Sequence, residues 1–281
     1  MILLKIGITY DTKEDYDDID YSKYCDFASI TSISLLKKQF EQAGFEVHLI
    51  GTYENLFNLI KLGKLDVDYI YNTAEGLCSR NREGLIPALL EANGIPYIGS
   101  DAYALSLTLN KYHTKLLAQY NDIPTPAAEL IYLYDTQREK LEKLERLPYP
   151  IIIKPNYEGS SMGVLYAKTI QEALQYINDE QKIYNQEILC EEYIDGMEIT
   201  VPVIGNGKDT KALGCVEFYR GNNKPMFVFG SDDKHYNDIR CRKASISPET
   251  WEKLAEYSEK LHNFLGCRDV NRVDFLSLIH I

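Results

Sequence analysis

Apolar runs and amphipathic segments alternate along the first hundred residues of the chain. The runs are continuously apolar, which is typical of strands buried on both faces of a parallel sheet. The segments between them repeat apolar positions every three or four residues, and a glycine follows each one. This order predicts an open, parallel, Rossmann-like α/β sheet with helices on both faces. We predict strands at 2–9, 45–50, 68–71 and 95–98, and helices at 29–43, 53–62 and 83–93.

The pattern changes after residue 120, where two prolines interrupt a turn-rich connection at 121–126. Shorter apolar runs follow, and Gly205 and Gly207 between two of them indicate an antiparallel hairpin. The segment 218–243 is polar, basic and irregular, so this half of the chain is predicted to be α+β. We predict helices at 100–120, 170–178 and 248–265, a charged helix or linker at 137–147, and strands at 129–134, 151–153, 164–167, 187–192, 198–204, 212–218 and 270–275.

Two loops follow the carboxyl ends of predicted strands and are candidates for a ligand site. The first strand leads into Tyr10 and Asp11, and the third leads into 72–76. Open parallel sheets bind ligands beyond these strand ends, so we expect the two loops to face the substrate. The sequence contains neither Gly-x-Gly-x-x-Gly after the first strand nor Gly-x-x-x-x-Gly-Lys-Ser/Thr, which argues against a dinucleotide-dependent dehydrogenase and a Walker-type site.

The stretch 150–163 carries the strongest local signal for chemistry. Its apolar run ends at Lys154, and a loop of small residues follows at 159–163. Small residues expose backbone N–H groups and tolerate unusual dihedral angles. The lysine and the loop could therefore hold the phosphates of a nucleotide, with the loop closing over them as a lid. An ordinary β-turn beside a surface lysine fits the same pattern and stays open at this point.

Composition and charge narrow the class of protein. The chain has 281 residues, 45% of them hydrophobic and 26% charged, which is ordinary for a folded protein. Its net charge of −12 argues against a nucleic-acid partner, whose footprint would be basic. The six cysteines form no Cys-x-x-Cys pair, which disfavours a zinc or redox site and suits a reducing compartment. Since no apolar run approaches the length of a membrane span and no signal peptide is evident, we expect a cytoplasmic protein without a membrane partner.

Six segments carry a family resemblance when they are taken together. They are Asn-Thr-Ala-Glu-Gly at 72–76, Gly-Ile-Pro-Tyr-Ile-Gly-Ser at 94–100, Leu-Asn-Lys-Tyr-His-Thr-Lys-Leu-Leu at 109–117, Ile-Lys-Pro-Asn-Tyr-Glu-Gly-Ser-Ser-Met-Gly-Val at 153–164, Glu-Glu-Tyr-Ile-Asp-Gly-Met-Glu at 191–198, and Leu-Gly-Cys-Arg-Asp-Val-Asn-Arg-Val-Asp-Phe at 265–275. In this order they resemble the ATP-grasp superfamily and, within it, the D-alanine–D-alanine ligase family. The resemblance implies a substrate-side domain at 1–104, a central ATP-grasp subdomain with the lid at 105–186, and a C-terminal ATP-grasp subdomain at 187–281.

The resemblance implies an ATP-dependent carboxylate–amine ligase for small amino-acid-like substrates. ATP would phosphorylate a carboxylate to give an acyl phosphate, and an amine would then displace phosphate to form an amide. Catalysis would rest on positioning, charge neutralisation and exclusion of water. The resemblance implies phosphate contacts by Lys111, Lys154, Lys234, Gly159, Ser160, Ser161 and Gly163, and catalytic roles for Ser161 and Arg272. It implies purine contacts by Glu191, Glu192, Tyr193 and Ile194. It also implies a ribose contact by Glu198 and Mg²⁺ binding by Asp274.

Each of these roles has a simpler structural alternative. Arg272 and Asp274 share one strand face, where a guanidinium suits a phosphoryl group and a carboxylate suits Mg²⁺. Asp274 could instead be a buried carboxylate with a structural partner. Lys111 could be a solvated helix lysine, and Glu198 could be a carboxylate at a strand edge.

Three features depart from the family's pattern. The family's Gly-Gly-x-Ser loop is absent after the first strand, and its usual His-Gly after the third strand is Glu75-Gly76 here. Both changes put D-alanine in question as the substrate. Glu75 would suit a substrate that carries an amine or a cationic group. Residues 276–281 do not match the Glu-x-Asn that completes the family's Mg²⁺ site, so we expect a truncated chain, or one whose last few residues come from outside the true reading frame. A non-catalytic ATP-binding or sensing module of the same fold is therefore the alternative function. For the oligomeric state, a homodimer is one of the states that we consider.

Overall fold

The computed structural model describes residues 3–12, 15, 27–77, 79–220 and 239–277. The chain forms two compact units, Met1–Leu109 with Gly266–Asp269, and Asn110–Leu265 with Val270–Ile281. Within the described ranges, no helix is both long and apolar enough to cross a bilayer. The predicted division into three domains stays a prediction.

The first unit is built on a parallel sheet, as the strand–helix alternation predicts. Ile8 and Ile70 of neighbouring strands and Leu56 of a helix are fully buried, so the apolar runs form the core of this unit. The spatial order of the strands along the sheet, 2-1-3-4, places the first and third strands side by side. The elements are β1 (Lys5–Thr9), α1 (Ile30–Gln42), β2 (Glu46–Gly51), α2 (Tyr53–Lys61), β3 (Tyr69–Asn72), α3 (Leu85–Ala92), β4 (Tyr97–Ile98) and α4 (Ala102–Leu109).

The second unit begins with an antiparallel sheet that is covered on one face by two helices. Ile151, Ile153 and Cys190 point to that face and pack against Leu144 and Ile177 of the helices. The elements are α5 (Lys111–Tyr120), β5 (Ala128–Ile131), α6 (Gln137–Leu144), β6 (Ile151–Pro155), β7 (Leu165–Ala167), α7 (Ile170–Tyr184) and β8 (Ile188–Glu192). The strand order is β5–β8–β6–β7, and every pair in it is antiparallel.

A second antiparallel sheet follows in the same unit. Its elements are β9 (Met197–Ile204), β10 (Lys211–Ala212), β11 (Val216–Arg220), β12 (Ile239–Lys243), α8 (Pro248–Phe264) and β13 (Val270–Ser277). The central strand β9 pairs with β13 on one side and with β10 and β11 on the other. Ile199 and Val201 of β9 pack with Leu254 of α8. Because side chains alternate along a strand, Glu198 and Thr200 lie on the opposite face.

Two predictions of secondary structure are wrong. The single helix predicted at 100–120 is two helices, since Asn110 separates α4 from α5 and its side chain accepts a hydrogen bond from the N–H of His113. An N-cap residue has non-helical dihedral angles, so the chain turns there.

The segment predicted to be irregular at 218–243 contains the strand β12, which pairs with β11. The charged segment after residue 136 is a helix, and a capping box between Thr136 and Glu139 begins it.

Glu180 of α7 gives a prediction about stability. Its side chain is buried, and no group in the described part of the chain hydrogen-bonds its Oε2. Burial, with a smaller contribution from Asp179, raises the pKa of Glu180 to about 7. The contribution of Glu180 to stability should therefore be most favourable below its unfolded pKa of about 4.3, fall as the pH rises, and level off above pH 7. We expect Glu180→Gln to remove this fall and to be roughly 1–3 kcal/mol more stable than the parent at pH 8.

Urea unfolding between pH 4 and 8 measures this difference. The matched control is Glu142→Gln, which changes a carboxylate that pairs with Arg138 on the exposed face of α6. Equal pH dependence in the parent and Glu180→Gln would contradict the prediction.

Candidate active site

Lys154 and Glu191 lie side by side on the face of the first antiparallel sheet that is turned away from α6 and α7. Ile153 and Cys190, their neighbours along the chain, pack into the core on the helix-covered face. Since successive side chains of a strand point to opposite faces, the two charged residues share the other face. There the carboxylate of Glu191 accepts a charge-assisted hydrogen bond from Lys154 Nζ.

A second lysine, which sequence reasoning missed, completes this cluster. Lys115 of α5 donates to Glu191 Oε1 and to the carbonyl oxygen of Pro126, both across 2.8 Å. The Lys115 side chain is 6% exposed, that of Glu191 10% and that of Lys154 25%. Two lysines therefore hold one buried carboxylate, and Lys154 is the more accessible of the two.

The ion pairs outweigh burial in setting the charge of Glu191. Burial alone would raise the pKa of this carboxyl, but the ammonium groups of Lys154 and Lys115 hold the pKa below its usual value. Burial lowers the pKa of Lys115, and the charge of Glu191 opposes that change. The site thus contains a buried carboxylate that keeps its charge at neutral pH.

The backbone after β8 offers a hydrogen-bond donor for a ligand. The N–H of Glu192 donates to the carbonyl oxygen of Ala127 across 2.9 Å, and that of Tyr193 donates to Pro150 across 3.0 Å. Among the described residues, none accepts from the N–H of Ile194. Ile194 is therefore the candidate backbone donor to a purine ring nitrogen, and the other purine contacts stay predictions.

The lid loop, residues 159–163, folds as a tight turn. Ser160, Ser161 and Gly163 have φ angles of 43°, 58° and 64°. This left-handed region costs a residue with a side chain of the order of 1 kcal/mol, so the loop is held by its surroundings. The buried Met162 side chain provides one such anchor. The Ser160 side chain is exposed, as a residue that closes over a ligand must be.

Lys111 joins the beginning of α5 to the base of the lid loop. Its Nζ donates to the carbonyl oxygen of Glu158, which directly precedes the loop. The side-chain amide of Asn156 joins the same region, because its Oδ1 accepts from the N–H of Tyr112 across 2.9 Å and its Nδ2 donates to Asn110 across 3.0 Å. The structure therefore places Lys111 beside the lid, and its contact with phosphate stays a prediction.

A second charged cluster lies on the open face of β9 and β13. Asp274 pairs in register with Thr200, and the Thr200 hydroxyl donates to Asp274 Oδ1 across 2.7 Å. Arg272 Nε lies 3.1 Å from the same carboxylate oxygen. Glu198 belongs to the same face, two residues before Thr200. Burial first, and then the charge of Asp274, raises the pKa of Glu198, while Arg272 opposes the rise. The structure thus brings the predicted ribose, phosphoryl and metal residues together.

The donor chemistry of this cluster fits Mg²⁺ with Asp274 as a protein ligand. Mg²⁺ is usually bound by one or two carboxylates together with phosphate oxygens and water. Burial is the larger cause of the raised pKa of Glu198, and repulsion by the charge of Asp274 adds to it, so a divalent cation would relieve that repulsion. Among the residues that the structure describes, no three His, Cys, Asp or Glu side chains form a metal cluster. Phosphate oxygens of the nucleotide and water would be further ligands. Lys234, another predicted phosphate contact, lies outside the described residues.

In the first unit, the two loops predicted to face the substrate meet at the carboxyl edge of the sheet. Thr9 Oγ1 donates to Asn72 Oδ1 across 2.7 Å, and the N–H of Gly76 donates to Asp11 Oδ2 across 2.8 Å. Arg82 packs so closely on Gly76 that a Cβ there would lie 2.8 Å from its carbonyl oxygen. Asp11 lies in one of the loops that the sequence predicts to face the substrate, whereas buried Arg82 was not assigned a role because it belongs to no local motif.

Gly163 gives a test of the lid loop. A Cβ at this position would lie 2.5 Å from Glu180 Oε2 and 2.7 Å from Pro155 Cγ, and its φ of 64° already disfavours a side chain. We expect Gly163→Ala to displace the lid and raise the KM for ATP roughly tenfold. Gly207→Ala is the matched control, because Gly207 has a φ of 57° and a Cβ added there would meet no atom of the described residues within 4 Å.

Steady-state kinetics with ATP as the varied substrate, together with thermal unfolding, measures both glycine variants. The prediction fails if Gly163→Ala and Gly207→Ala have the same KM for ATP.

The chain is similar in sequence to known ligases. Residues 117–279 match the family model described as the D-ala D-ala ligase C-terminus. A D-alanine–D-alanine ligase of Carboxydothermus hydrogenoformans is 31% identical over 249 residues, which cover 86% of this chain and 75% of that protein. One of Bordetella petrii is 28% identical over 274 residues, which cover 97% of this chain and 78% of that protein. None of these matches favours the non-catalytic alternative.

Solved structures show the same fold. The D-alanine–D-alanine ligase of Bacillus anthracis, complexed with ATP, superposes with a TM-score of 0.72 at 20% identity, covering 99% of this chain and 83% of the other. The VanG D-Ala:D-Ser ligase of Enterococcus faecalis gives a TM-score of 0.73 at 20% identity, covering 98% and 86%. The predicted α/β and ATP-grasp architecture is therefore confirmed.

Proposed function

Because this chain belongs to the D-alanine–D-alanine ligase family and is therefore an ATP-dependent ligase of the ATP-grasp type, we propose that it joins two small amino acids by an amide bond through an acyl phosphate. The observation that carries the proposal is the cluster of Arg272, Asp274 and Glu198 on one sheet face. A guanidinium beside two carboxylates suits phosphoryl transfer. The guanidinium can stabilise the negative charge of the transferring phosphoryl group, and a carboxylate can bind the metal ion of a metal–nucleotide complex.

In this proposal, the first antiparallel sheet holds the nucleotide. The carboxylate of Glu191 accepts from the adenine amino group, and the N–H of Ile194 donates to a ring nitrogen. The ammonium groups of Lys154 and Lys111 bind the phosphates and offset their negative charge. The lid loop closes over them, and the exclusion of water strengthens each of these contacts. Glu198 would accept from a ribose hydroxyl.

The chemical steps belong to the second antiparallel sheet. A substrate carboxylate oxygen attacks the γ-phosphorus of ATP, ADP leaves, and an acyl phosphate forms. The amine of the second substrate attacks the acyl carbon, loses a proton, and inorganic phosphate departs with the former carboxylate oxygen. The guanidinium of Arg272, which is 63% exposed, is available to the transferring phosphoryl group and then to the tetrahedral oxyanion. Mg²⁺ held by Asp274 would neutralise charge on the phosphate oxygens.

Amino acids of small size are the proposed substrates. The edge of the first unit carries the carboxylate of Glu75, which suits the ammonium group of an amino acid. D-Alanine is one candidate, because the curated relatives are named D-alanine–D-alanine ligases. Reactions of this kind use cytoplasmic ATP, so we place the protein in the cytoplasm.

The test is ATP turnover with a panel of D- and L-amino acids, alone and in pairs. Phosphate release is recorded, and any amide is identified by mass. We expect phosphate release only with particular amino acids and one dipeptide product for each mole of phosphate. ATP binding without turnover for any amino acid would refute the ligation and favour the binding-module alternative.

A further inference from the structure

Lys115 is the least exposed member of the Glu191 cluster. Its Nζ has two fixed acceptors, Glu191 Oε1 and the carbonyl oxygen of Pro126, each at 2.8 Å. Lys154 binds the other oxygen of the carboxylate but is several times more exposed. A nucleotide phosphate would compete with Glu191 for Lys154, whereas Lys115 is shielded from any ligand. Lys115 is thus the cation that stays with Glu191 throughout the binding of a nucleotide.

The charge of Glu191 depends on this pairing. A carboxyl this deeply buried would otherwise take up a proton, because burial disfavours the charged form. Among the described residues, the charged groups that act on Lys115 are Glu191 and Glu192 of β8 and Lys154 of β6. The two glutamates favour its protonated form, and Lys154 opposes it. Removing Lys115 would leave a buried charge with one partner fewer, which shifts the equilibrium towards the neutral acid.

The charge of Glu191 matters because purine bases differ at the edge that it would meet. Adenine presents an amino group, which donates, and guanine presents a carbonyl oxygen, which accepts. An ionised carboxylate can only accept, so it pairs with adenine and repels guanine. A protonated carboxyl can donate and would tolerate guanine.

We propose that Lys115 is a positioning residue that makes the site select adenine over guanine nucleotides, by keeping Glu191 ionised and fixed in orientation. This proposal rests on the proposed function, since it takes Glu191 to be the residue at the purine edge. It goes further by assigning the choice of nucleotide to a side chain that touches no ligand.

The experiment compares ADP and GDP binding by calorimetry from pH 5.5 to 8.5 for the parent chain and Lys115→Met. The parent should prefer ADP at every pH. In Lys115→Met we expect the preference to fall roughly tenfold and to fall further as the pH decreases, because GDP gains from protonated Glu191. Lys115→Arg keeps the charge and should retain most of the preference.

Lys140→Met is the matched control. Lys140 is also buried in the second unit, but its Nζ is bound by the neutral groups of Asn178 and Gln181 on α7. It should keep the parent preference and its pH dependence. If Lys115→Met does not fold, Glu191→Gln is the second variant, since an amide can turn to accept or donate and should also relax the preference.

The proposal is overturned if the parent binds ADP and GDP equally, or if the folded Lys115 variant, or Glu191→Gln in its place, keeps the full preference at every pH. Binding is measured without amino acids, so this result is independent of ligation. A chain that prefers ADP through Lys115 but forms no amide would refute the proposed function and leave this inference intact.

Discussion

Lys154→Ala is expected to lower kcat/KM for ATP by roughly 10³-fold, the largest loss that we predict for a single substitution. The variant removes the accessible cation of the first sheet, which is proposed to stabilise negative charge on the phosphates. It also leaves Glu191 with Lys115 as its remaining ion-pair partner in the described cluster. Both effects reduce binding of the transition state. The measurement is amino-acid-dependent phosphate release with ATP as the varied substrate.

Lys168→Ala is the control for Lys154→Ala, because Lys168 is an exposed lysine two residues before α7. It should keep the parent rate, since its side chain lies in solvent. Thermal unfolding of both variants separates a loss of fold from a loss of chemistry. If the Lys154→Ala protein folds and its rate is within threefold of the parent rate, Lys154 does not contact the phosphates as proposed.

Asp274→Asn is expected to lower kcat roughly 10²-fold or more and to raise the Mg²⁺ concentration needed for half-maximal activity. An amide keeps the shape of the carboxylate and can still accept from Thr200, but it loses the negative charge that holds a divalent cation. Burial is the first cause of the raised pKa of Glu198 and the charge of Asp274 the second, so removing that charge should lower the pKa part of the way. Mg²⁺ titrations of the steady-state rate test the first effect, and NMR titration of Glu198 tests the second.

Two variants serve as controls for Asp274→Asn. Asp209→Asn changes an aspartate in the short 3₁₀ turn after β9 and should leave the Mg²⁺ dependence unchanged. Thr200→Val removes the hydroxyl that orients the carboxylate, and we expect a loss of threefold to tenfold. If Asp274→Asn and the parent respond identically to Mg²⁺, Asp274 is not a ligand of the metal.

Sequence reasoning recovers the first unit well because its signals are local. The buried parallel strands are continuous apolar runs, and Ile8 and Ile70 are indeed fully buried. The break at Asn110 was missed because its cause includes tertiary contacts: the Asn110 side chain also accepts from Asn156, 46 residues away. The strand β12 was missed for a similar reason. From the sequence alone, Arg242 is expected to be a solvated residue. In the structure, it pairs with Glu217 and stacks on the ring of Tyr219, both on β11.

The candidate site shows the same division between local and tertiary signals. Lys154, Glu191 and Asp274 lie in motifs at the ends of predicted strands, so their neighbourhood could be predicted from the sequence. Lys115 lies on a helix whose other polar residues give it no distinguishing pattern, and only the fold brings it to Glu191. Thr200 likewise gains its role from the register between β9 and β13.

The most direct test of the ligase account follows an oxygen atom. The amino acid that supports turnover is prepared with ¹⁸O in its carboxylate, and the released phosphate is analysed by mass spectrometry. An acyl-phosphate route predicts that each phosphate carries one ¹⁸O from the substrate, since the attacking carboxylate oxygen leaves with phosphorus. Phosphate without ¹⁸O, formed at the same rate, would mean that water attacks ATP and would contradict the account.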